Sequence, residues 1–376
     1  METASLTKDF SRKILVSVID ETPKHLNDIS RALTSFYTIE GFEDGQKAFD
    51  KICAAPPAVI VLDRKTGPKG GIDLLREIRD QASLKDVPVV FTSPEGDESQ
   101  FDEAKCIGAG ACITKPFKRS VLIDAISGMV NSTVENAWED IEPVQRKALK
   151  ETVSTFNSIA DMIDEGAPLP YQGVKDSCEP LVKAVQENRF KDILKGVRGH
   201  DNYSYVHSLR VATLLSLFGH TIGIRGDDLL TLSTGGLVHD VGKMTIPYEI
   251  LNKPGKLVGD DWAIMKSHVT RTMEFLENSP EMPRGALTIA GQHHEKMNGT
   301  GYPNGLKGGE LNELARMASI VDVFGALTDR RVYKEPMPPE KALKLMSGMK
   351  DELDQQLLTL FHEMLLSAAS GLDEDA

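Results

Sequence analysis

The segment AVIVLD at residues 58–63 is the clearest indication of the fold of the first third of the chain. It is a short apolar run, mostly β-branched, that ends in one aspartate, and similar runs recur before and after it. Amphipathic stretches such as Lys24 to Leu33 and Ile72 to Asp80 lie between these runs. The predicted strands are Ile14 to Ile19, Tyr37 to Phe42, Ala58 to Leu62, Val87 to Thr92 and Ala111 to Thr114. This alternation predicts an α/β doubly wound fold with a five-stranded parallel sheet and helices on both faces.

Polar side chains lie at the ends of several of these predicted strands or directly after them. Asp20 and Glu21 follow the first strand, and Asp63 follows the third. Thr92 ends the fourth strand, and Lys115 comes directly after the fifth. Each residue alone fits a helix N-cap or a surface charge. Because functional groups of an open parallel sheet gather at the carboxyl ends of its strands, the five together indicate a functional edge.

The segment from about residue 10 to residue 130 resembles a response-regulator receiver domain through the motifs IDETP, VLDR, FTS and TKPF. The resemblance implies that Asp63 is the phosphoacceptor and that Asp20 and Glu21 hold Mg²⁺. It further implies that Thr92 contacts the phosphoryl group, that Lys115 pairs with it, and that a sensor histidine kinase is a partner. Carboxylates at one edge require a divalent cation, which together with a lysine can offset the charge of an aspartyl phosphate.

A long amphipathic helix is predicted next. From about Val134 to Glu165, apolar residues recur at steps of three and four, and the segment from Gly166 to Pro170 ends the pattern. Two interpretations are open: a helix packed on its own domain, or a linker that forms a homodimer. Helical periodicity without a convincing strand follows, which predicts an all-α domain. The predicted domain limits are 1–130, 131–168 and 169–376.

Seven of the nine histidines lie between residues 200 and 294. The chain has two His-Asp dipeptides, so the dipeptide alone is weak evidence. Asp201 opens a predicted helix and fits an N-cap, whereas His239 and Asp240 follow a helix of buried character. A partly buried carboxylate without a partner is costly, so a cation is its expected companion. The other candidate ligands, at inward helix positions or at a helix end, are His207, His268, His293, His294 and Asp322.

An isolated inward histidine is more often a hydrogen-bonded core residue than a ligand. Several such groups together, with one carboxylate able to bridge, suit two metals. Over about residues 175 to 350 the chain resembles the HD-GYP family of cyclic di-GMP phosphodiesterases, through DNYSYVHSLRV, LVHDVGKMTIP, KPGKL, HHEKMNGTGYPNGLKG and IVDVFGALTDRRVYK. This second domain is therefore predicted to be an HD-type metallohydrolase joined to the receiver domain by the long helix.

The HD-GYP resemblance implies a role for each candidate. One metal would be bound by His207, His239, Asp240 and Asp322, and the other by Asp240 as a bridge with His268, His293 and His294. Lys243 would lie beside the scissile phosphate, Tyr302 would contact the substrate, and Arg331 and Lys334 would grip its phosphates. Tyr203 occupies the position where some members have a glutamate that adds a third metal, so two metals are predicted.

Together the two resemblances predict a cytoplasmic two-component response regulator that hydrolyses cyclic di-GMP to pGpG and, after a second cut, GMP. Asp240 and Lys243 would act at the reacting phosphate, with water activated by the metals. Two alternatives are a signalling scaffold without turnover and an HD-type phosphohydrolase of another cyclic dinucleotide or nucleotide. Nothing in the sequence distinguishes guanine from adenine. Imidazole and carboxylate ligands separate Fe, Mn, Zn, Ni and Cu poorly, and we predict Fe or Mn.

Composition excludes other classes of function. The net charge of −13 argues against wrapping of nucleic acid, which requires many cations. The longest apolar runs are far shorter than the roughly 18 residues that a membrane span needs, and the N-terminus lacks a signal-peptide core. Four cysteines without CxxC spacing are typical of a reducing cytoplasm.

Overall fold

The computed structural model describes residues 14–34, 36–96, 99–251, 253, 255–329 and 336–370. The chain divides into two compact units, the first mainly from residues up to Ser132 and the second mainly from Thr133 onward. The domain limits drawn from the sequence stay a prediction.

The first unit is a single parallel sheet with helices between its strands. The strands are β1 (Leu15–Ile19), β2 (Thr38–Phe42), β3 (Val59–Asp63), β4 (Val89–Pro94) and β5 (Ala111–Lys115), in the order β2-β1-β3-β4-β5. The helices are α1 (Pro23–Leu33), α2 (Gly45–Ala54), α3 (Gly71–Asp80), α4 (Ser99–Ile107) and α5 (Arg119–Val130). Every strand pair is parallel, which confirms the predicted doubly wound fold.

The central strands are buried on both faces, which is why they lack polar alternation. Their fully buried side chains include Val16, Val18, Ile60, Leu62, Val90 and Phe91. β4 begins two residues later than predicted, because the Val87 N–H bonds to the Leu84 carbonyl in a turn and Pro88 has no N–H to offer. The register places Asp63 beside Thr92, so the carboxyl ends of β3 and β4 meet at one edge.

The prediction of one continuous helix from about Val134 is wrong in its first turns. Helix α6 (Ser132–Asn136) is followed by a 3₁₀ turn, and α7 begins only at Pro143 and runs to Glu165. A proline fits the first position of a helix and forces the preceding residue out of helical conformation, and Glu142 is extended with ψ 147°. The apolar side of α7 is buried within the second unit, with Ala148, Leu149, Phe156 and Ile159 inaccessible to solvent.

The remaining elements are helical, as predicted. The longer helices are α8 (Tyr171–Gln186), α9 (Phe190–Gly196), α10 (Tyr203–Thr221), α11 (Gly226–Val238), α13 (Gly259–Glu277), α14 (Arg284–Gln292), α15 (Glu313–Thr328), α16 (Pro339–Ser347) and α17 (Gln355–Ser370), with α12 (Tyr248–Leu251) a single turn. No strand occurs among the described residues after position 131. Within the same described ranges, no helix has the length and apolar character needed to span a membrane.

The predicted N-cap of α10 is wrong by one residue. Asn202, not Asp201, caps this helix, and its side chain accepts a hydrogen bond from the Tyr205 N–H at 3.0 Å. Aspartate and asparagine are equally good caps, so local preference does not choose between two adjacent candidates.

Candidate metal centre

Five helices of the second unit bring the predicted ligands to one place. His207 lies on α10, and His268 lies on α13. His239 and His293 are the first residues after α11 and α14, and Asp322 lies on α15. Asp240 and His294 each follow a histidine directly. All seven side chains are buried except that of His294, which is 23% exposed.

A close backbone contact places Asp240 beside α13. A β-carbon at Gly242 would lie 2.2 Å from the carbonyl oxygen of His268, so only glycine allows this approach. The Gly242 N–H donates to Thr272 Oγ1 at 2.9 Å and fixes the turn against the same helix. The 3₁₀ helix after α11 therefore carries Asp240 directly to the turn of α13 that holds His268.

The first group of ligand atoms comprises His207, His239, Asp240 and Asp322, all within 4.8 Å of one another. His207 Nε2 lies 2.9 Å from Asp322 Oδ1 and 3.7 Å from Asp240 Oδ2. His239 Nε2 lies 3.2 Å from Asp240 Oδ2. Two imidazole nitrogens and two carboxylates thus face a common point, which is a donor set that first-row divalent metals accept.

The second group comprises Asp240, His268, His293 and His294 within the same distance. Asp240 Oδ1 lies 3.2 Å from His268 Nε2 and 3.7 Å from His293 Nε2. The two oxygens of Asp240 therefore face different groups, Oδ2 the first and Oδ1 the second. One buried carboxylate shared in this way has the geometry of a bridge between two metals.

The orientation of the histidine rings shows that the residues fit divalent metals. The Nδ1 atoms of His239, His268 and His293 lie 2.6–2.9 Å from backbone carbonyls, so each Nδ1 carries the proton and donates it. In the neutral ring, each Nε2 then presents a lone pair to the cluster. These Nε2 atoms and Asp240 Oδ1 are buried and have no hydrogen-bond partner in the described part of the chain. Lone pairs that face each other in a buried site require a cation between them.

The two carboxylates are held ionised. Burial raises the pKa of Asp240, but the Lys243 ammonium and the His239 imidazole outweigh burial and hold this pKa well below its usual value. Lys243 Nζ is in direct contact with Asp240 Oδ2. Burial also raises the pKa of Asp322, and His207 and His239 bring it well below its usual value. Both groups are therefore ready to bind a cation near neutral pH.

The histidines of the site differ in the direction in which their pKa values are shifted. Burial lowers the pKa of His293 and His294, which keeps both rings neutral and able to act as ligands. Burial also lowers the pKa of His239, but the neighbouring Asp240 carboxylate reverses the shift and raises it to about 9. A metal that binds His239 must displace this proton, so binding releases protons.

The sequence did not predict a role for Asp329, a carboxylate that contacts the first group of ligands through His207. Asp329 Oδ2 lies 2.8 Å from His207 Nδ1, and its other oxygen lies 2.7 Å from Arg210 Nε. The Asp329 side chain therefore orients His207 so that Nε2 faces the cluster. The available signal was an acidic residue directly after the apolar helix that carries Asp322.

Glu295 was also missed as a functional residue. This buried carboxylate accepts hydrogen bonds from the N–H groups of Asn304 at 2.6 Å and Leu306 at 3.0 Å. A β-carbon at Gly301 would lie 2.5 Å from the Glu295 Cα, so the loop packs closely on the turn after α14. The result is that Tyr302 lies over His294, with ring centroids 4.7 Å apart.

The structure brings together every predicted site residue of this unit that lies among the described residues. The seven metal-ligand candidates, Lys243 and Tyr302 share one site. Arg331 and Lys334 lie outside the described residues. Tyr203 stacks on His207, with ring centroids 5.8 Å apart and an interplanar angle of 17°.

The acidic edge of the first unit is assembled as predicted from strand order. Asp63 Oδ2 accepts hydrogen bonds from Thr92 Oγ1 at 3.1 Å and from Lys115 Nζ at 2.7 Å. Lys115 also contacts Asp20. Asp20, Asp63 and Thr92 are buried, whereas Glu21 is exposed beside Asp20. The lysine therefore spans the two buried carboxylates at the carboxyl ends of β1 and β3.

Comparison with known proteins agrees with this architecture. The family model of the response regulator receiver domain matches residues 16–127, and that of the HD domain matches residues 174–357. The chain is therefore a response regulator receiver domain followed by an HD domain, as the sequence predicted.

Three relatives illustrate the similarity. A "probable cyclic di-GMP phosphodiesterase" of Vibrio cholerae is 26% identical over 92% of this chain and 76% of its own length. The "cyclic di-GMP phosphodiesterase response regulator RpfG" of Xanthomonas campestris is 26% identical over 78% of this chain and 72% of its own length. The "3'3'-cGAMP-specific phosphodiesterase 3" of Vibrio cholerae is 38% identical, but the match covers only 44% of this chain and 36% of that relative.

Proposed function

We propose that this response regulator is a metal-dependent phosphodiesterase that hydrolyses cyclic di-GMP to linear pGpG and, after a second cut, GMP. The observation that carries the proposal is Asp240, a buried carboxylate whose two oxygens face two separate groups of ligand atoms. The names of the Vibrio and Xanthomonas relatives support cyclic di-GMP as the substrate.

The roles of the residues follow from their positions. When bound, divalent metals supply Lewis acidity for water and for a phosphoryl oxygen, and we propose Fe or Mn held by the two ligand groups. Lys243, in contact with Asp240, places a positive charge where negative charge grows on the phosphate. Tyr302 borders the site and contacts the substrate. Arg331 and Lys334 are proposed to hold its phosphates.

The relatives include phosphodiesterases of a second cyclic dinucleotide. The relative named for 3'3'-cGAMP is 38% identical over 167 residues, and a Vibrio cholerae relative named for cyclic di-GMP is also 38% identical, over 131 residues. Identity therefore does not separate the two substrates. The relatives that match most of this chain are named for cyclic di-GMP, so it remains our proposal and 3'3'-cGAMP is the alternative.

For the receiver domain we propose phosphorylation of Asp63 by a sensor histidine kinase. Asp20 and Glu21 would hold Mg²⁺, Thr92 would contact the phosphoryl group and Lys115 would pair with it. The support is the contact of Asp63 with Thr92 and Lys115 at one sheet edge. A homodimer through α7 stays a prediction, and the buried apolar side of that helix does not favour it.

The test compares the two His-Asp dipeptides of the chain. Full-length protein is loaded with Fe²⁺ or Mn²⁺ under anaerobic reducing conditions, and its metal content is measured. Cyclic di-GMP and 3'3'-cGAMP are then supplied separately, and products are separated by chromatography. We expect pGpG or GMP from the wild type and from Asp201→Asn, and neither metal retention nor product from Asp240→Asn.

Two outcomes would contradict the proposal. Metal-loaded wild type that forms no product from either dinucleotide would favour a signalling scaffold. Faster turnover of 3'3'-cGAMP than of cyclic di-GMP would keep the phosphodiesterase but change its substrate.

A further inference from the structure

One of the two tryptophans of the chain is exposed beside the candidate metal centre. Trp262, on α13, is 41% exposed, whereas Trp138 is 1% exposed. Single exposed apolar side chains are common on protein surfaces, so exposure alone means little. The neighbours of this indole decide whether it has a function.

The ring of Tyr302 lies between the Trp262 indole and the ligand cluster. Its ring centroid is 5.8 Å from that of Tyr302, in an edge-to-face arrangement with an interplanar angle of 83°. Tyr302 in turn lies 4.7 Å from the His294 ring and 6.4 Å from the His268 ring, centroid to centroid. Because α13 carries both Trp262 and His268, the helix itself sets the distance between indole and metal centre.

A cation accompanies the two aromatic rings. Lys266, one helical turn after Trp262, has its Nζ 5.9 Å from the ring centroids of both Trp262 and Tyr302. Within the described part of the chain, no carboxylate lies within ion-pair distance of this ammonium group. An exposed aromatic face beside an unneutralised cation is suited to a ligand that has a flat ring and negative charge.

We propose that Trp262 and Lys266 form a stacking site for one purine base of the cyclic dinucleotide, while its phosphodiester lies at the metal centre. This inference rests on the proposed function and extends it to two further binding residues. Stacking is tolerant of base identity because every base has a π-face. The site therefore explains affinity for a cyclic dinucleotide without selecting guanine over adenine.

The kinetic test separates base binding from chemistry. Wild type, Trp262→Leu, Trp262→Phe and Lys266→Met are assayed with cyclic di-GMP and with bis(p-nitrophenyl) phosphate, a diester without a purine. Loss of one base stack is expected to raise KM for cyclic di-GMP roughly tenfold in Trp262→Leu. The value of kcat/KM for cyclic di-GMP, divided by that for bis(p-nitrophenyl) phosphate, falls by the same factor in Trp262→Leu. In Trp262→Phe this ratio is expected to be close to that of wild type. Leu345→Ala, a change at a similarly exposed apolar side chain on α16, is the control.

A binding test gives a direct readout. Because Trp138 is the other tryptophan and is buried, quenching of indole fluorescence by a non-hydrolysable phosphorothioate analogue of cyclic di-GMP reports on Trp262. We expect strong quenching in wild type and its loss in Trp262→Leu.

The outcomes distinguish the two proposals. Equal losses of kcat/KM for both substrates in Trp262→Leu would overturn the stacking site alone. The same holds if wild type cleaves cyclic di-GMP but shows no quenching, and Trp262→Leu leaves KM for cyclic di-GMP unchanged. Hydrolysis of bis(p-nitrophenyl) phosphate with neither binding nor cleavage of a cyclic dinucleotide by wild type would overturn both.

Discussion

At the scale of single residues, the two His-Asp dipeptides differ in what their histidines face. His200 is buried against Trp138, with the rings parallel and their centroids 6.2 Å apart, and its Nε2 lies 3.4 Å from Glu135. His239 instead bonds a backbone carbonyl through Nδ1 and turns Nε2 toward two carboxylates. The same dipeptide thus supports packing in one place and a ligand cluster in the other.

Asp329 should act as a positioning residue through His207. In Asp329→Asn the amide has one oxygen to serve both His207 and Arg210, so His207 loses its fixed orientation. We expect metal affinity or kcat to fall about 10- to 100-fold. Metal titration by calorimetry, together with turnover of cyclic di-GMP, measures the effect.

Asp354→Asn provides the matched control for this change. Asp354 pairs with Arg316 at 2.6 Å, which is likewise an aspartate–arginine contact, but it touches none of the seven candidate ligands. Metal affinity that falls equally in both variants would contradict a specific role for Asp329.

The cysteines should differ sharply in reactivity, because the thiolate is the reactive form. Burial raises the pKa of the Cys178 thiol to about 11, and burial also raises the pKa of Cys53 and Cys112. Cys106 is exposed. Near neutral pH, a disulfide reagent should therefore give one fast phase, which Cys106→Ser removes.

The pH dependence of the slow thiols has a definite sign. Below its raised pKa the thiol keeps its proton, so the rate of reaction of Cys178 with the reagent should rise with pH up to about 11. At lower pH, Cys178 should react at its maximal rate only in denaturant. A fast phase that persists in Cys106→Ser without denaturant would show this assignment to be wrong.

At the scale of elements, the contact between the turn after α11 and helix α13 decides whether the site assembles. In Gly242→Ala the new β-carbon would overlap the His268 carbonyl, so the turn and the helix must separate. Such overpacking costs about 1–3 kcal/mol, and it moves Asp240 away from His268. We expect a lower unfolding temperature and loss of bound metal, measured by calorimetry and elemental analysis.

Gly173→Ala is the control because it lies within α8 and a β-carbon there meets no atom within 4 Å. Alanine in a helix is favoured over glycine by up to about 1 kcal/mol, so this variant should be as stable as wild type or more so. Full metal content in Gly242→Ala would contradict the importance of the close contact.

At the scale of the whole molecule, the metals of the candidate metal centre should stabilise only the second unit. All seven candidate ligands of the metal centre lie after Thr133, so metal bound there lowers the free energy of that folded unit. The Mg²⁺ proposed for Asp20 and Glu21 belongs to the receiver domain instead. Metal at about 1,000 times its Kd contributes about 4 kcal/mol, which corresponds to roughly 10 °C in unfolding temperature. Scanning calorimetry of full-length protein with and without EDTA, in both cases with Mg²⁺ in excess over EDTA so that the receiver domain stays saturated, measures this shift.

Asp240→Asn should already show the lower transition and should not respond to EDTA. Re-addition of Mn²⁺ should restore the wild-type transition alone. A shift of both transitions, or of neither, would contradict a metal centre confined to the second unit.

The strand pattern of the first unit, the helical character of the second and the seven candidate ligands can all be predicted from the sequence. These features are local: buried parallel strands are continuous apolar runs, and ligand side chains occur in short motifs at helix ends. The helix start at Pro143 is also a local feature, but the apolar periodicity continues across it and therefore predicts one uninterrupted helix.

How these residues contact one another depends on the tertiary structure. The sharing of Asp240 between two ligand groups, the bond of Asp329 to His207 and the stacking of Trp262 near His294 through Tyr302 each join separate helices or loops. Such contacts depend on how helices approach one another, with side chains from positions as far apart as 122 residues in the chain. Local periodicity carries no information about these approaches, because it reports only which face of each helix is buried.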